Sequence, residues 1–256
     1  MINDQKIDIF IPVRLGNTRL PGKALRLCND KPILFYLLER LKKSKKVRNI
    51  VVCTTKNSED NELENALLDN GHIVFRGSEK DILDRFFEAS KKFNPDFIIN
   101  VDGDDIYTDP ILIDNMVEEY EKTDADFIDM IDFPFGFRSV GFKRSALEYV
   151  CKNKMSTNTE TGYRDFFYSI SSFKHHKMFF DKKITCSSKI RLSLDYTEDL
   201  SLAEIIIKKL GNNFSLMEIL ELFKKEPELL KITEHLEERW KEHYNANLSQ
   251  FQAKNE

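Results

Sequence analysis

The chain lacks the marks of several protein classes. Its four cysteines, Cys28, Cys53, Cys151 and Cys186, lie far apart and none belongs to a CxxC pair, which leaves no readable zinc cluster or thioredoxin-like site. No apolar run comes near the roughly 18 to 20 residues that cross a bilayer. Neither sign of charge prevails, with 39 Lys and Arg against 43 Asp and Glu and a net charge of −4. A general nucleic-acid binder is expected to carry a basic excess, so that class is set aside. The opening MINDQKIDIF has neither a basic segment nor a long apolar one, and export is not expected. No internal repeat or low-complexity linker interrupts the sequence. The expectation is a reduced, cytoplasmic chain whose partners include no membrane and no nucleic acid.

Apolar material is ample. The 256 residues include 20 Phe and 8 Tyr, with 41% hydrophobic and 32% charged overall, the balance of a globule with a polar surface and a real core. Two periods alternate through the first half. Short apolar runs at 7–12 (IDIFIP), 50–54 (IVVCT), 73–75 and 96–101 (DFIINV) read as buried strands. Helical spacing fills 31–44, 59–70, 81–93 and 110–121, the last with Pro110 in its first turn. Strand–helix alternation implies right-handed βαβ units and a mostly parallel sheet, with ligands beyond the carboxyl ends of the strands. The second half is less regular. Strands are expected at 139–142 and 190–194, a helix at 197–210 with Thr197 as N-cap, and another opened by the Ser215/Glu218 capping box. A charged stretch from about 233 (EHLEERWKEHY) leads into a polar tail.

Four places carry chemistry. After the first strand, PVRLGNTRLPGK supplies Arg14, Arg19 and Lys23 with Gly16 and Gly22 between them. Cations on a loop whose glycines turn amides inward suit a polyphosphate. A solvated loop is the plain alternative, and neither a Walker A nor a GxGxxG spacing is present. NVDGDDIYTDP crowds Asp102, Asp104, Asp105 and Asp109 at a strand end, which favours a hard divalent cation over a mere acidic turn. In LSLDYTEDL, Asp195 ends an apolar run, where it could face Asp104, while Glu198 and Asp199 suit any helix N-terminus. In FRGSEKDILDR, Ser78 and Asp81 are expected to cap a helix carrying Asp84 and Arg85 in an exposed salt bridge. His175 and His176 read as surface loop, Trp240 and Tyr244 as packing, and the lysines at 42, 43, 45 and 46 as a solvated helix end.

Taken together these residues resemble a known family. RLGNTRLPGK at 14–23 is similar to the RxxSTRLPGK signature of cytidylyltransferases that make CMP-activated acidic sugars, CMP-Kdo synthetase among them. FRGSEKDILDR, GDDIYTDP, RLSLDYTEDL with the following Phe-Ser-Leu helix, and EPELLKI look like the spore-coat polysaccharide biosynthesis branch. The resemblance spans about 7–232, implying a nucleotidyltransferase domain at 1–232 and a charged helical extension at 233–256. It implies a glycosyltransferase-A-like, Rossmann-like α/β fold with an irregular acceptor or dimer segment and a helical C-terminus. It also implies transfer of CMP from CTP to an anionic acceptor, release of pyrophosphate, Mg²⁺ as cofactor and a homodimer. Residue by residue, Arg14, Lys23 and Asp104 would be catalytic, and Asp104 and Asp195 would ligate the metal. Arg14, Arg19 and Lys23 would hold the triphosphate, and Pro12, Leu15, Gly16 and Asp102 would also belong to the nucleotide site. Thr54, Thr55, Arg76, Gly77, Ser78, Asp84 and Arg85 would lie near base and ribose.

The chain departs from the pattern in three places. Asn17 replaces the signature's Ser, PFGFRSVGF at 134–142 lacks an acidic step, and TGYRDFF at 161–167 lacks a Glu-His pair. The last two fall on the acceptor side. Arg138 and Arg164 could meet an acidic sugar, a phosphate or a phosphonate there, or simply face solvent. Two other readings compete: a metal-dependent glycosyltransferase using the literal DxD of Asp102-Gly103-Asp104, and a catalytically degenerate nucleotide-binding subunit.

Overall fold

Alternation along the first strand sets the two faces of the sheet. In the computed structural model, which describes residues 5–179 and 190–248, strand β1 (Ile7–Pro12) sends Ile7, Ile9 and Ile11 into one apolar cluster and Phe10 into the other, as a period of two requires. A small hairpin, β2 (Leu27–Cys28) and β3 (Lys31–Pro32), precedes helix α1 (Ile33–Leu41). Then come β4 (Asn49–Thr55), α2 (Asn61–Asp69), β5 (Ile73–Gly77), α3 (Ile82–Phe93), β6 (Phe97–Asn100) and α4 (Pro110–Thr123). The second half holds β7 (Phe127–Ile131), β8 (Val140–Lys143), α5 (Arg144–Asn153), α6 (Asp165–Tyr168) and β9 (His175–Phe179). Helices α7 (Thr197–Leu210), α8 (Leu216–Lys225) and α9 (Leu236–Asn247) follow.

Among the described residues the main sheet has seven strands in the order β5-β4-β1-β6-β8-β7-β9. Neighbours β5, β4, β1 and β6 pair in parallel, and β8 alone runs antiparallel to both β6 and β7. Residues of α1, α4, α7 and α8 cover one face, while α3, α5 and α6 cover the other. This is an α/β, Rossmann-like sheet, and no described helix is long and apolar enough to cross a membrane. Arg40, 1% exposed, staples α1 to the loops before α4 and α8 by donating to the carbonyls of Tyr107, Thr108 and Asn212.

The structure corrects several expectations. The 190–194 run is not a strand: it makes one isolated bridge, Phe135 with Arg191, and the Leu192 amide donates to the Phe135 carbonyl at 2.8 Å. Its partners are loops on both sides, so no ladder can propagate. His175 and His176 belong to the edge strand β9, where the His176 ring meets Glu119 at 3.0 Å. Strand β7 and helix α5 are additional to the expected elements, although Ala146, Leu147 and Val150 of α5 are buried at helical spacing. Tyr196, not Thr197, is the N-cap of α7, because the Asp199 carboxylate reaches back to the amides of Asp195 and Tyr196. Arg85 is buried and pairs with Glu160 instead of forming an exposed bridge to Asp84, whereas Asp81 does cap α3 by accepting from the Asp84 amide.

Gly136 seats the 134–137 turn on the 190–194 segment. Its φ is +86°, and a Cβ there would lie 2.2 Å from the Leu192 carbonyl. Gly136→Ala is therefore expected to cost about 2–4 kcal/mol from overpacking and left-handed strain, seen as a melting temperature lower by at least ~5 °C. An unchanged melting curve would contradict this seating.

Candidate active site

The loop after β1 is shaped by its own polar side chains. The Leu15 amide donates to Asp60 Oδ1 at 2.8 Å, and Asn17 Oδ1 accepts from the amides of Arg19 and Leu20. That fold-back brings Arg14, Arg19 and Lys23 to the carboxyl end of the sheet, around a cavity of about 250 Å³. The loop after β6 closes in from the other side. Gly103 permits it, because a Cβ there would come within 2.5 Å of Val13 Cγ2 and 3.1 Å of the Pro12 carbonyl. The Leu194 amide, donating to the Asp104 carbonyl at 3.0 Å, ties the third segment to the same place.

Each loop cation meets a carboxylate. Lys23 Nζ stands between Asp104 Oδ2 at 2.6 Å and Asp195 Oδ1 at 3.3 Å, and also donates to the Leu194 carbonyl. Arg19 reaches Asp195 Oδ1 at 2.6 Å, and Arg191 reaches Asp195 Oδ2 at 2.8 Å. Arg14 and Arg85 both contact Glu160 at 3.0 Å. Burial raises the pKa of Asp195, yet Lys23, Arg19 and Arg191 outweigh it and hold the carboxyl below its ordinary value. For Lys23, burial opposes the charge and the two carboxylates more than offset it, so the ammonium is retained. Asp104 goes the other way: burial, with Asp195 and Asp102 nearby, raises it despite Lys23. Asp195 is thus a settled anion, and Asp104 a strained one.

A second cavity of about 350 Å³ adjoins the first across Asp102, Asp104 and Glu160. Arg138 and Arg164 line it, with Asp195, Phe135, Trp240 and Tyr244. Arg164 pairs with Asp102 at 2.8 Å, and the Tyr163 hydroxyl bonds both Asn100 and Asp102. Arg138 is braced by the Met130 carbonyl and the buried Asp129.

Of the sequence-derived candidates, Pro12, Arg14, Gly16, Arg19, Lys23, Arg85, Asp102 and Asp104 line the first cavity, and Asp195, Arg138 and Arg164 the second. Leu15, Thr54, Thr55, Arg76, Gly77, Ser78 and Asp84 line neither cavity. Thr55 is bound to the buried Asp60, and Arg76 is spent on the carbonyls of Thr55 and Asn57 and on Glu64. Gly77 lets Arg85 pass, since a Cβ would meet Arg85 Cγ at 2.8 Å. The Ser78 carbonyl accepts from Arg85 Nε. Sequence reading missed Glu160, Tyr163 and His243. Glu160 lies one residue before TGYRDFF, the stretch in which a Glu-His pair was expected, and His243 lies on a helix expected to be an extension.

Comparison with known proteins places this geometry. The family model described as Cytidylyltransferase matches residues 9–226. The chain belongs to the cytidylyltransferase family. An uncharacterized protein of Methanocaldococcus jannaschii is 34% identical over 237 residues, covering 91% of this chain and 97% of that one. The spore coat polysaccharide biosynthesis protein SpsF of Bacillus subtilis is 35% identical over 131 residues, covering 50% of this chain; the match spans about half of that relative, 55%. The solved structure of a cytidylyltransferase from Leptospira borgpetersenii superposes with a TM-score of 0.79 at 31% identity, covering 88% of this chain and 97% of that one.

In this cytidylyltransferase the two carboxylates should respond differently to neutralisation. Asp195→Asn leaves Arg191 and Lys23 without their shared anion and is expected to cost about 3–5 kcal/mol. Because the native carboxyl is depressed, its stabilisation is present at neutral pH and fades as pH falls through the acidic range; the variant should show a flatter acid limb. Asp104→Asn, at a raised carboxyl, is expected to shift stability by no more than ~1 kcal/mol. Urea unfolding of both variants across pH checks this, and equal losses would contradict the assignment.

Proposed function

We propose that the chain catalyses Mg²⁺-dependent transfer of CMP from CTP to an anionic acceptor, an acidic sugar or small phosphate or phosphonate, releasing pyrophosphate, for surface-glycan or related biosynthesis. The observation that carries this reading is Lys23 Nζ, held between Asp104 and Asp195 at the mouth of a three-cation loop. Membership of the cytidylyltransferase family supports it.

An acceptor oxygen attacks the α-phosphorus, and the bond from that phosphorus to the bridging oxygen breaks, so pyrophosphate carries off the electron pair. Arg14, Arg19 and Lys23 are placed to hold the triphosphate oxygens and offset the charge that grows on the leaving group. For that, Lys23 must turn from its carboxylates towards phosphate. The space it leaves fits Mg²⁺: two carboxylates converge on one cation position, and among the described residues no third His, Cys, Asp or Glu completes a cage. Mg²⁺ characteristically takes one or two carboxylates and fills its octahedron with phosphate oxygens and water. When bound it supplies charge neutralisation and orientation for the in-line displacement. Asp102 is held through both oxygens by Tyr163 and Arg164; what weighs against the glycosyltransferase reading is the loop of Arg14, Arg19 and Lys23, which suits a free triphosphate with pyrophosphate as leaving group.

Thermal unfolding with CTP, UTP, ATP and GTP, each with and without Mg²⁺, tests the reading. A ligand at 100 times its dissociation constant adds about 2.7 kcal/mol, and the expected shift is selective for CTP and enhanced by Mg²⁺. A shift with a UDP- or GDP-sugar and Mn²⁺ but with no triphosphate would overturn it. Asp104→Asn should lower pyrophosphate release by roughly 10²-fold or more, the scale of losing one group that stabilises transition-state charge. Undiminished turnover would contradict its role. The homodimer stays part of the proposal: light scattering should report twice the chain mass, and a single-chain mass would refute it.

A further inference from the structure

Helix α9 does more than extend the chain. Leu236, Trp240, His243 and Tyr244 follow helical spacing and share one face, while Glu237, Glu238, Lys241 and Glu242 are exposed. Leu236, 1% exposed, anchors the first turn. Trp240 packs its ring edge-on to Phe135 at 4.5 Å and stacks with Tyr244 at 4.9 Å, and Arg239 lies over the Tyr196 ring at 4.5 Å. Trp240 and Tyr244 are only half-buried, and both line the cavity that holds Arg138 and Arg164. The cavity thus brings two guanidinium groups and two aromatic rings together, among carboxylates.

We infer that α9 completes the acceptor site, with Trp240 and Tyr244 holding the apolar face of a cyclic acid whose anionic group meets Arg138 and Arg164. This rests on the nucleotidyl-transfer reading and narrows its acceptor. Each guanidinium has five N–H donors. Arg138 uses Nε and one terminal nitrogen on Met130 and Asp129, and Arg164 makes its ion pair to Asp102 through one, so both keep donors for a ligand. Of the six carboxylates lining the cavity, Asp102 is matched by Arg164, Glu160 by Arg14 and Arg85, Asp104 by Lys23, and Asp195 by Arg19, Lys23 and Arg191, while burial raises the pKa of Asp105 and Asp165 and so weakens their charge. A few-atom phosphonate would leave both rings and most of the 350 Å³ unfilled, whereas a ring bearing an acid spans from cation to aromatic face.

The chain has one tryptophan, so its emission reports this wall directly. Wild-type protein is titrated with glucuronate, N-acetylneuraminate and 3-deoxy-manno-octulosonate, with glucose and methylphosphonate as controls, and the CTP–Mg²⁺ melting shift is measured on the same sample. At least one sugar acid should quench or shift the emission while glucose and methylphosphonate do not. Trp240→Ala and Tyr244→Ala should each raise KM for that acid at least tenfold and leave KM for CTP unchanged, with Trp240→Phe restoring most of the loss. If CTP raises the melting temperature but no sugar acid moves the emission, the acceptor wall is wrong. Turnover of methylphosphonate with a KM indifferent to both alanine variants overturns it as well. If CTP gives no melting shift and no acid releases pyrophosphate, the nucleotidyl-transfer reading falls, and this inference with it.

Discussion

The site depends on one buried carboxylate. Asp195, 1% exposed, collects Arg19, Lys23 and Arg191 while its backbone amide and that of Tyr196 donate to Asp199. No strand ladder holds the 190–195 segment against the sheet among the described residues; ion pairs, the Leu192 and Leu194 amide bonds and apolar burial do. Charge pairing in a dry setting is strong only when every partner is present. The same residue thus fixes the fold locally and sets the geometry of the β1 loop.

That arrangement also prepares the loop for an anion. Arg14, Arg19 and Lys23 are oriented by carboxylates, so a polyphosphate would exchange partners with them instead of ordering them anew. Preorganised charge of this kind lowers the reorganisation needed at the moment of reaction. Asp104 is the weak member of the set, its charge disfavoured by burial and by neighbouring acids. A divalent ion arriving with the triphosphate would relieve that repulsion as Lys23 turns away. Substrate binding and release of internal strain are then one event.

Much of this was legible from the residues alone. Apolar runs at 7–12, 50–54 and 96–101 sit in parallel strands because both faces of the sheet are covered, and the Ser215–Glu218 box opens α8 as its spacing requires. The cations of the first loop and the aspartates after β6 were readable because strand ends were identified first. What escaped notice has physical causes. β7 buries Asp129, bonded to Tyr168 and Arg138, so its run is broken by a charge. β9 is an edge strand of half-exposed side chains with polar His and Lys in it. Glu160 and Tyr163 act from an irregular loop with no period. α9 is polar around most of its circumference, and its few apolar residues read as packing until the cavity beside them was seen.

The central claim is that Asp104 and Asp195 give up an internal ammonium and take a metal ion together with the triphosphate. Electron paramagnetic resonance of Mn²⁺, titrated into the protein with and without CTP, tests this most directly. The account predicts tightly held Mn²⁺, one ion per chain, only when CTP is present, and loss of that binding in Asp104→Asn. Equal Mn²⁺ binding without nucleotide, or unaltered binding in Asp104→Asn, would contradict it.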